Sequence, residues 1–298
     1  MRIVTSIFCL PHEIDELEIL LHQLRLSSYH LSEDVELVLD VTLCLSEYIT
    51  HFKKSSIPKS YFEEKLLKLA ADTDWCVKYI RTSTDILGEV SHRRESFETH
   101  YKSATHFIWL NTNVIFPEKT LFYLEQSLKQ ASEFTPHHIV TPEMVQMWDE
   151  SWDSLVNVKF KNKKLNYQSL NDPFKDSGIY GDVEIVEVKN TLERQPRYKF
   201  LGGVFTCISK PLLKRIGIPE SFGHHGYDDT FLMWGSEKLT QTTDIEVKQF
   251  KMKNLVICEN YKYRNTAHYL NNMSVYDRSD EFKEISLANF NKELQDLK

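Results

Sequence analysis

The feature that most constrains this chain is the alternation of short β-branched apolar runs with amphipathic helical stretches through its first 130 or so residues. Met1–Leu10 is an apolar run, and after Pro11 the residues Ile14, Leu17, Leu20, Leu21 and Leu24 recur at helical spacing. Glu13, Asp15 and Glu16 put acids in the first turn of that helix, where its dipole favours them. Glu36–Val41 reads as a second buried strand, and Tyr61–Ala71 as a helix with Phe62, Leu66, Leu67 and Ala70 on one face. Cys76–Ile80 is a third strand, Glu89–Lys102 a polar helix with a sparse stripe of Val90, Phe97 and Tyr101, and Phe107–Leu110 a fourth strand. Pro117 opens the next helix, with Leu121, Leu124 and Leu128 turned inward.

Strands that alternate with helices build parallel βαβ units. The expected fold class is therefore α/β: a doubly wound, mostly parallel sheet flanked by helices, with ligands at the carboxyl ends of its strands. The sequence lacks both G-x-G-x-x-G after the first strand and G-x-x-x-x-G-K-[ST] anywhere, which removes the main support for dehydrogenase and P-loop readings. We read residues 1–298 as a single domain in two halves, 1–135 and 136–298. From about residue 150 to Arg197 the pattern loosens into a polar segment, read as a long excursion over the active-site face. Order returns at Lys199–Ser209, a strand containing a glycine pair. A short helix follows over Lys210–Ile216, with proline near its start and Gly217 just past its end. Leu255–Cys258 is strand-like, and the chain closes in a polar helical tail.

With 41% hydrophobic and 27% charged residues, the composition is that of a globular protein. A net charge of −7 argues against a broad nucleic-acid footprint. The five cysteines are far apart and odd in number, so they are expected to be reduced core residues. The apolar N-terminus is too short and too β-branched for a membrane span, and we expect a cytoplasmic protein with no membrane segment.

Three separated segments carry the chemistry. Asp40 ends the second predicted strand. Next come Gly88–Arg94, with Arg93 and Arg94 on a helix, and the run Phe107–Pro117, in which Asn111-Thr112-Asn113 follows the fourth strand. Last come Gly202 and Gly203 in their strand, followed by Ile218–Phe231 with Asp228-Asp229 opening a helix. Each has a bland reading: a strand-end acid, solvated helix arginines, a turn that asparagine tolerates, and first-turn or N-cap aspartates.

Together these segments, covering roughly residues 1–235, resemble the glycosyltransferases of the GT-A fold and are family 2-like, which implies a nucleotide-sugar-binding half over 1–135 and an acceptor and catalytic half over 136–298. The resemblance implies that Asp40, Arg93, Arg94, Asn111, Asn113, Gly202 and Gly203 bind the donor, a nucleotide-diphosphate sugar, with UDP-sugar the commonest donor in the family. It implies that Asp229, or Asp228 if the register slips by one, is the base that deprotonates an acceptor hydroxyl in an inverting transfer. The helix dipole is expected to keep that carboxylate's pKa low.

Asn111-Thr112-Asn113 stands where the family carries Asp-X-Asp, which holds a divalent cation, Mn²⁺ or Mg²⁺, against the diphosphate. Asparagine supplies only a neutral carbonyl oxygen, so metal binding through Asn111 and Asn113 is expected to be weakened. Three explanations stand open: metal-free catalysis, a ligand from another acid, or loss of turnover. His268 is the further metal candidate. Trp148 and Trp152, four apart and each followed by an aspartate, are the candidate acceptor platform, with helix packing as the alternative. Two rival functions are a GT-A-like protein that only binds nucleotide sugar or glycan, and a nucleotidyltransferase.

Overall fold

The structure is a computed structural model, and it describes residues 1–46, 57–85, 88–146, 150–161, 172–188, 204–260 and 274–297, with backbone only at 150–152 and 274–282. Among the described residues nine strands form the sheet: β1 Arg2–Cys9, β2 Glu36–Cys44, β3 Val77–Ser83, β4 His106–Leu110, β5 Val114–Ile115, β6 His138–Met144, β7 Gly178–Glu187, β8 Phe205–Ser209 and β9 Lys248–Glu259. Their order is β3-β2-β1-β4-β8-β6-β9-β5, with β7 also pairing β9. β1, β2, β3 and β4 pair in parallel, as do β6 and β9, whereas β8, β5 and β7 run antiparallel to their neighbours. The mostly parallel α/β sheet expected from the sequence is therefore present, with three reversed strands on its second half.

The helices are α1 Ile14–Ser28, α2 Lys59–Ala71, α3 Glu89–His100, α4 Thr120–Phe134, α5 Pro173–Asp176, α6 Lys210–Ile216, α7 Asp228–Thr242 and α8 Ser274–Asp296. Among the described residues no helix is long and apolar enough to cross a membrane. α6 is bounded by its own chemistry. Pro211 sits in the first turn, and Gly217 takes a left-handed φ of 75° past the end, where a side chain would be strained.

Side chains alternate between the two faces of a strand, and the first half of the sheet uses that alternation unevenly. Ile3, Ile7 and Cys9 with Leu37, Leu39, Val41 and Leu43 form an apolar face. The opposite face carries Ser6, Asp40 and Thr42 and is covered by α3, whose buried side is itself polar: His92, Arg93, Ser96 and His100. A buried carboxylate needs partners. Asp40 has them: Arg81 Nη1 donates to Oδ1 at 2.6 Å and His100 Nε2 lies 2.9 Å from Oδ2.

Several boundaries differ from the sequence reading. β2 continues three residues beyond Val41, so Asp40 lies inside the strand and not at its end. β6 was not anticipated, since Pro142 interrupts an otherwise strand-like run; it is accommodated at a register shift between Pro142 and Glu143. The polar excursion holds a ten-residue strand, β7, whose alternating half-buried and exposed positions mark an outer strand. None of the five cysteines forms a disulfide, and Cys9, Cys44, Cys207 and Cys258 are buried.

Candidate active site

Two helix starts converge beyond the carboxyl ends of the parallel strands. α3 follows β3 and opens at Gly88, whose backbone is packed so closely on the chain at His224 that an added Cβ would lie 2.1 Å from the His224 carbonyl oxygen. Val90 N–H donates to that same oxygen at 3.1 Å, and Ser91 Oγ lies 3.3 Å from His224 Nδ1. α7 opens at Asp228, immediately after Gly226 (φ 85°) and Tyr227 (φ 63°). A left-handed aromatic residue is costly, about 1–3 kcal/mol, and such strain persists only where the surroundings impose it. Here Tyr227 is the N-cap residue, its carbonyl accepts from Phe231 N–H at 2.7 Å, and its ring packs on Phe290 of α8. Asp228 and Asp229 are therefore the first two helical residues, and Asp228 is not the N-cap.

Arg93 joins the two helix starts. Its Nη1 donates to Asp228 Oδ2 at 2.6 Å and its Nη2 to Glu89 Oε2 at 2.9 Å, while the guanidinium lies 4.8 Å from the centre of the Trp109 ring. Arg94 points elsewhere, donating to the carbonyls of Pro219 at 2.9 Å and Gly223 at 3.2 Å. It braces the loop that leads to the acid pair. Adjacent residues on a helix diverge by about 100°, and the two arginines accordingly serve different partners.

A cavity of about 400 Å³ opens between these elements, lined by Glu89, Arg93, His225, Gly226, Tyr227, Asp228, Asp229, Thr230 and Lys283. Asp229 is half-buried at its wall and accepts at Oδ1 from Thr230 N–H at 2.6 Å. Burial, and then the neighbouring Asp228 carboxylate, push its pKa up to about 6, against the pull of Arg93. The low pKa expected from the helix dipole is thus overridden by desolvation and like charge.

The end of β4 supplies the third part. Asn111 N–H donates to Val204 O at 3.4 Å, and Asn260 N–H donates to Asn113 O at 2.6 Å, which pins the turn between the entry to β8 and the exit of β9. Glu13 stands in a 3-10 turn after β1, where burial pushes its carboxyl up to about 8, with Glu89 adding to the rise and the buried Thr112 opposing it. Among the described residues no three His, Cys, Asp or Glu side chains converge as a cation requires. Asn111 and Asn113 add only neutral oxygens. These residues do not fit a divalent metal centre.

The structure therefore gathers Arg93, Asp228 and Asp229 at one cavity, with Arg93 lying against Trp109 of β4, two residues before the Asn111–Asn113 turn. Asp40 is buried behind α3 among His100, Arg81 and His92, which hold its carboxyl down at about 2 although burial alone would raise it. Gly202, Gly203, Trp148 and His268 lie outside the described residues, as does the side chain of Trp152. Glu89, Tyr227, Gly226 and Lys283 were not singled out from the sequence as cavity residues. The Gly223-x-x-Gly226 spacing before an acid pair was the available signal for a strained loop.

No protein-family model and no curated protein matches this chain. Among solved structures, S. aureus TarS 1-349 in complex with UDP-GlcNAc is similar at 9% identity and a TM-score of 0.46, over 85% of this chain and 58% of that one. TarS 1-349 alone gives 12% identity and 0.42 over 96% and 71%, and a mycobacterial protein 10% and 0.43 over 91% and 75%. This chain thus spans 58% of the length of the first of these. With TM-scores below 0.5, none of these likenesses assigns a role to a residue here.

Proposed function

We propose that the chain is a GT-A-like glycosyltransferase that moves a sugar from a nucleotide-diphosphate sugar to an acceptor hydroxyl. The observation that carries this reading is Asp229, a half-buried carboxylate on the wall of a cavity beyond the carboxyl ends of the parallel strands, with its pKa raised toward neutrality. A general base works best when its pKa lies near the working pH. In the proposed step Asp229 takes the acceptor proton as the acceptor oxygen bonds the anomeric carbon, and the carbon–oxygen bond to the nucleotide diphosphate breaks. The outcome is inversion. Asp228, held by Arg93, fixes the start of α7 and keeps the adjacent carboxylate costly to ionise. The Asn111–Asn113 turn is the proposed donor platform.

Asp229→Asn tests this directly. Transfer is expected to fall by about 100-fold or more, while calorimetric binding of the donor stays within about twofold. UDP-GlcNAc, the ligand of the TarS complex, is the first donor to try. Transfer that survives the substitution would remove Asp229 from the base role.

A second reading is a protein that binds nucleotide sugar or glycan without turnover. The uncharged Asn111 and Asn113 favour it, since neither offers the anionic oxygens that anchor a cation at a diphosphate. Donor binding without nucleotide release, across a panel of acceptors, is the result that would select it.

A further inference from the structure

The chain that delivers the acid pair to the cavity is held by the C-terminal helix. Past the 3-10 turn at Glu220–Phe222, Gly223, Gly226 and Tyr227 take φ of 66°, 85° and 63°, so three residues of this short loop are left-handed. Backbone carbonyls in such a stretch need donors from elsewhere. They find them on two sides. From α3, Arg94 donates to Pro219 O and Gly223 O, and Val90 N–H donates to His224 O. From α8, Ser286 Oγ lies 2.7 Å from Phe222 O and 2.8 Å from His225 O, and Asn289 Nδ2 donates to Ser221 O at 2.9 Å.

Ser286, Asn289, Phe290 and Glu293 fall at i, i+3, i+4 and i+7, on one face of α8. Ser221 Oγ donates to Glu293 Oε1 at 2.5 Å, and the Phe290 ring centre lies 6.2, 6.1 and 5.8 Å from those of Phe222, Tyr227 and Phe231. The aromatic residue thus covers both ends of the loop while its polar neighbours hold the carbonyls between. Lys283, one turn earlier, lies against Gly226, where an added Cβ would meet its Cγ at 2.8 Å, and it lines the cavity. Ser286 is fully buried, and its one proton is shared by carbonyls on either side of Gly223 and His224. We infer that Ser286 is a positioning residue: its hydroxyl fixes the Phe222–His225 corner against α8 and so sets where Tyr227 ends the loop and where Asp229 stands in the cavity. The inference rests on the reading of Asp229 as the base, and Ser286 itself touches no reacting atom.

Ser286→Ala removes the hydroxyl and keeps the rest of the side chain. In that variant kcat for transfer is expected to fall about tenfold with the donor KM within about twofold, because the base is displaced and the donor is not. Two further readouts need no activity. Hydrogen–deuterium exchange of the Phe231 amide, which closes the first turn of α7 on Tyr227 O, should become about tenfold faster. The Asp229 titration, followed by carboxyl-carbon NMR, should move down from about 6 toward 3.8 as water reaches the carboxyl. Asp228, Arg93 and Glu89, the charged groups that act on it, are the same in both proteins. Leu287→Ala, at an exposed position of α8, controls for general loosening of the helix and should move neither readout. If Ser286→Ala does not fold, Asn289→Ala removes the neighbouring donor and should shift both in the same direction. Shifts in exchange and titration support the clamp even if Asp229→Asn retains transfer, a result that would remove the base assignment alone. Exchange and titration unmoved in Ser286→Ala, or moved as far by Leu287→Ala, overturn the positioning role.

Discussion

Arg93 and Asp228 meet at 2.6 Å with their side chains 5% and 6% exposed, so the first residue of α7 is held by a guanidinium that starts on α3. The same guanidinium takes Glu89 and lies against Trp109. Removing one partner of a buried pair leaves an uncompensated charge. Arg93→Ala is expected to cost about 3–5 kcal/mol in chemical denaturation. The double variant Arg93→Ala with Asp228→Asn should recover part of that loss. Equal losses in the single and double variants would show that Arg93 acts through packing alone.

Asp229 gives the site a pH signature. In the unfolded chain its carboxyl titrates near 3.8, and in the folded protein near 6. Below 3.8 it is protonated in both states. As pH rises from there to about 6 the unfolded chain gives up its proton and the folded one retains it, so this group's contribution to stability falls across that window and then levels off. Activity should run the other way and rise through pH 6 as the base becomes available. Carboxyl-carbon NMR with Asp229→Asn as the assignment control would read the titration. A midpoint near 4 would remove the desolvated environment on which the base role depends.

Gly88 and His224 approach more closely than any side chain permits. A Cβ at position 88 would lie 2.1 Å from a carbonyl oxygen, which has no flexible end to move aside. Gly88→Ala should therefore displace the start of α3 from the loop before α7. The expected cost is about 1–3 kcal/mol, the range for forced overpacking. Because Arg93 is anchored one turn further along α3, the displacement should also loosen its bond to Asp228. A thermal melt beside the Asp229 titration would show both effects, and an unshifted Asp229 would show that the two helix starts are independent.

The alternation of apolar runs with helical stripes made β1 to β4 and α1 to α4 readable in outline, because parallel strands buried on both faces are nearly continuous apolar runs. β6 and β7 escaped for opposite reasons. Pro142 breaks the first, and the second carries too little burial to show a pattern. Asp228 and Asp229 were legible as a helix start, but not the strained Tyr227 before them or the inversion of the expected pKa shift. The first depends on packing against Phe290 of α8 and the second on burial at the cavity wall, neither of which is local in sequence. Asp40 read as a strand-end acid although β2 extends past it through Thr42, Leu43 and Cys44, which no turn signal separates from Val41.

The asparagine turn supports one last expectation. Asn111 and Asn113 are held by backbone bonds to Val204 and from Asn260, so the turn is fixed by contacts that do not involve the two side-chain amides. Replacing both amides by carboxylates should therefore leave the turn in place and add two negative charges to it. At neutral pH these charges repel unless a cation enters. The double variant Asn111→Asp with Asn113→Asp is expected to lose about 1–2 kcal/mol of stability in chelator, the effect of a few unpaired acids at close range. Millimolar Mn²⁺ should return that loss, and calorimetry should show a binding isotherm absent from the parent. Stability unmoved by chelator and by Mn²⁺ would mean that the two side chains point apart and that the segment is a turn with no ligand of its own.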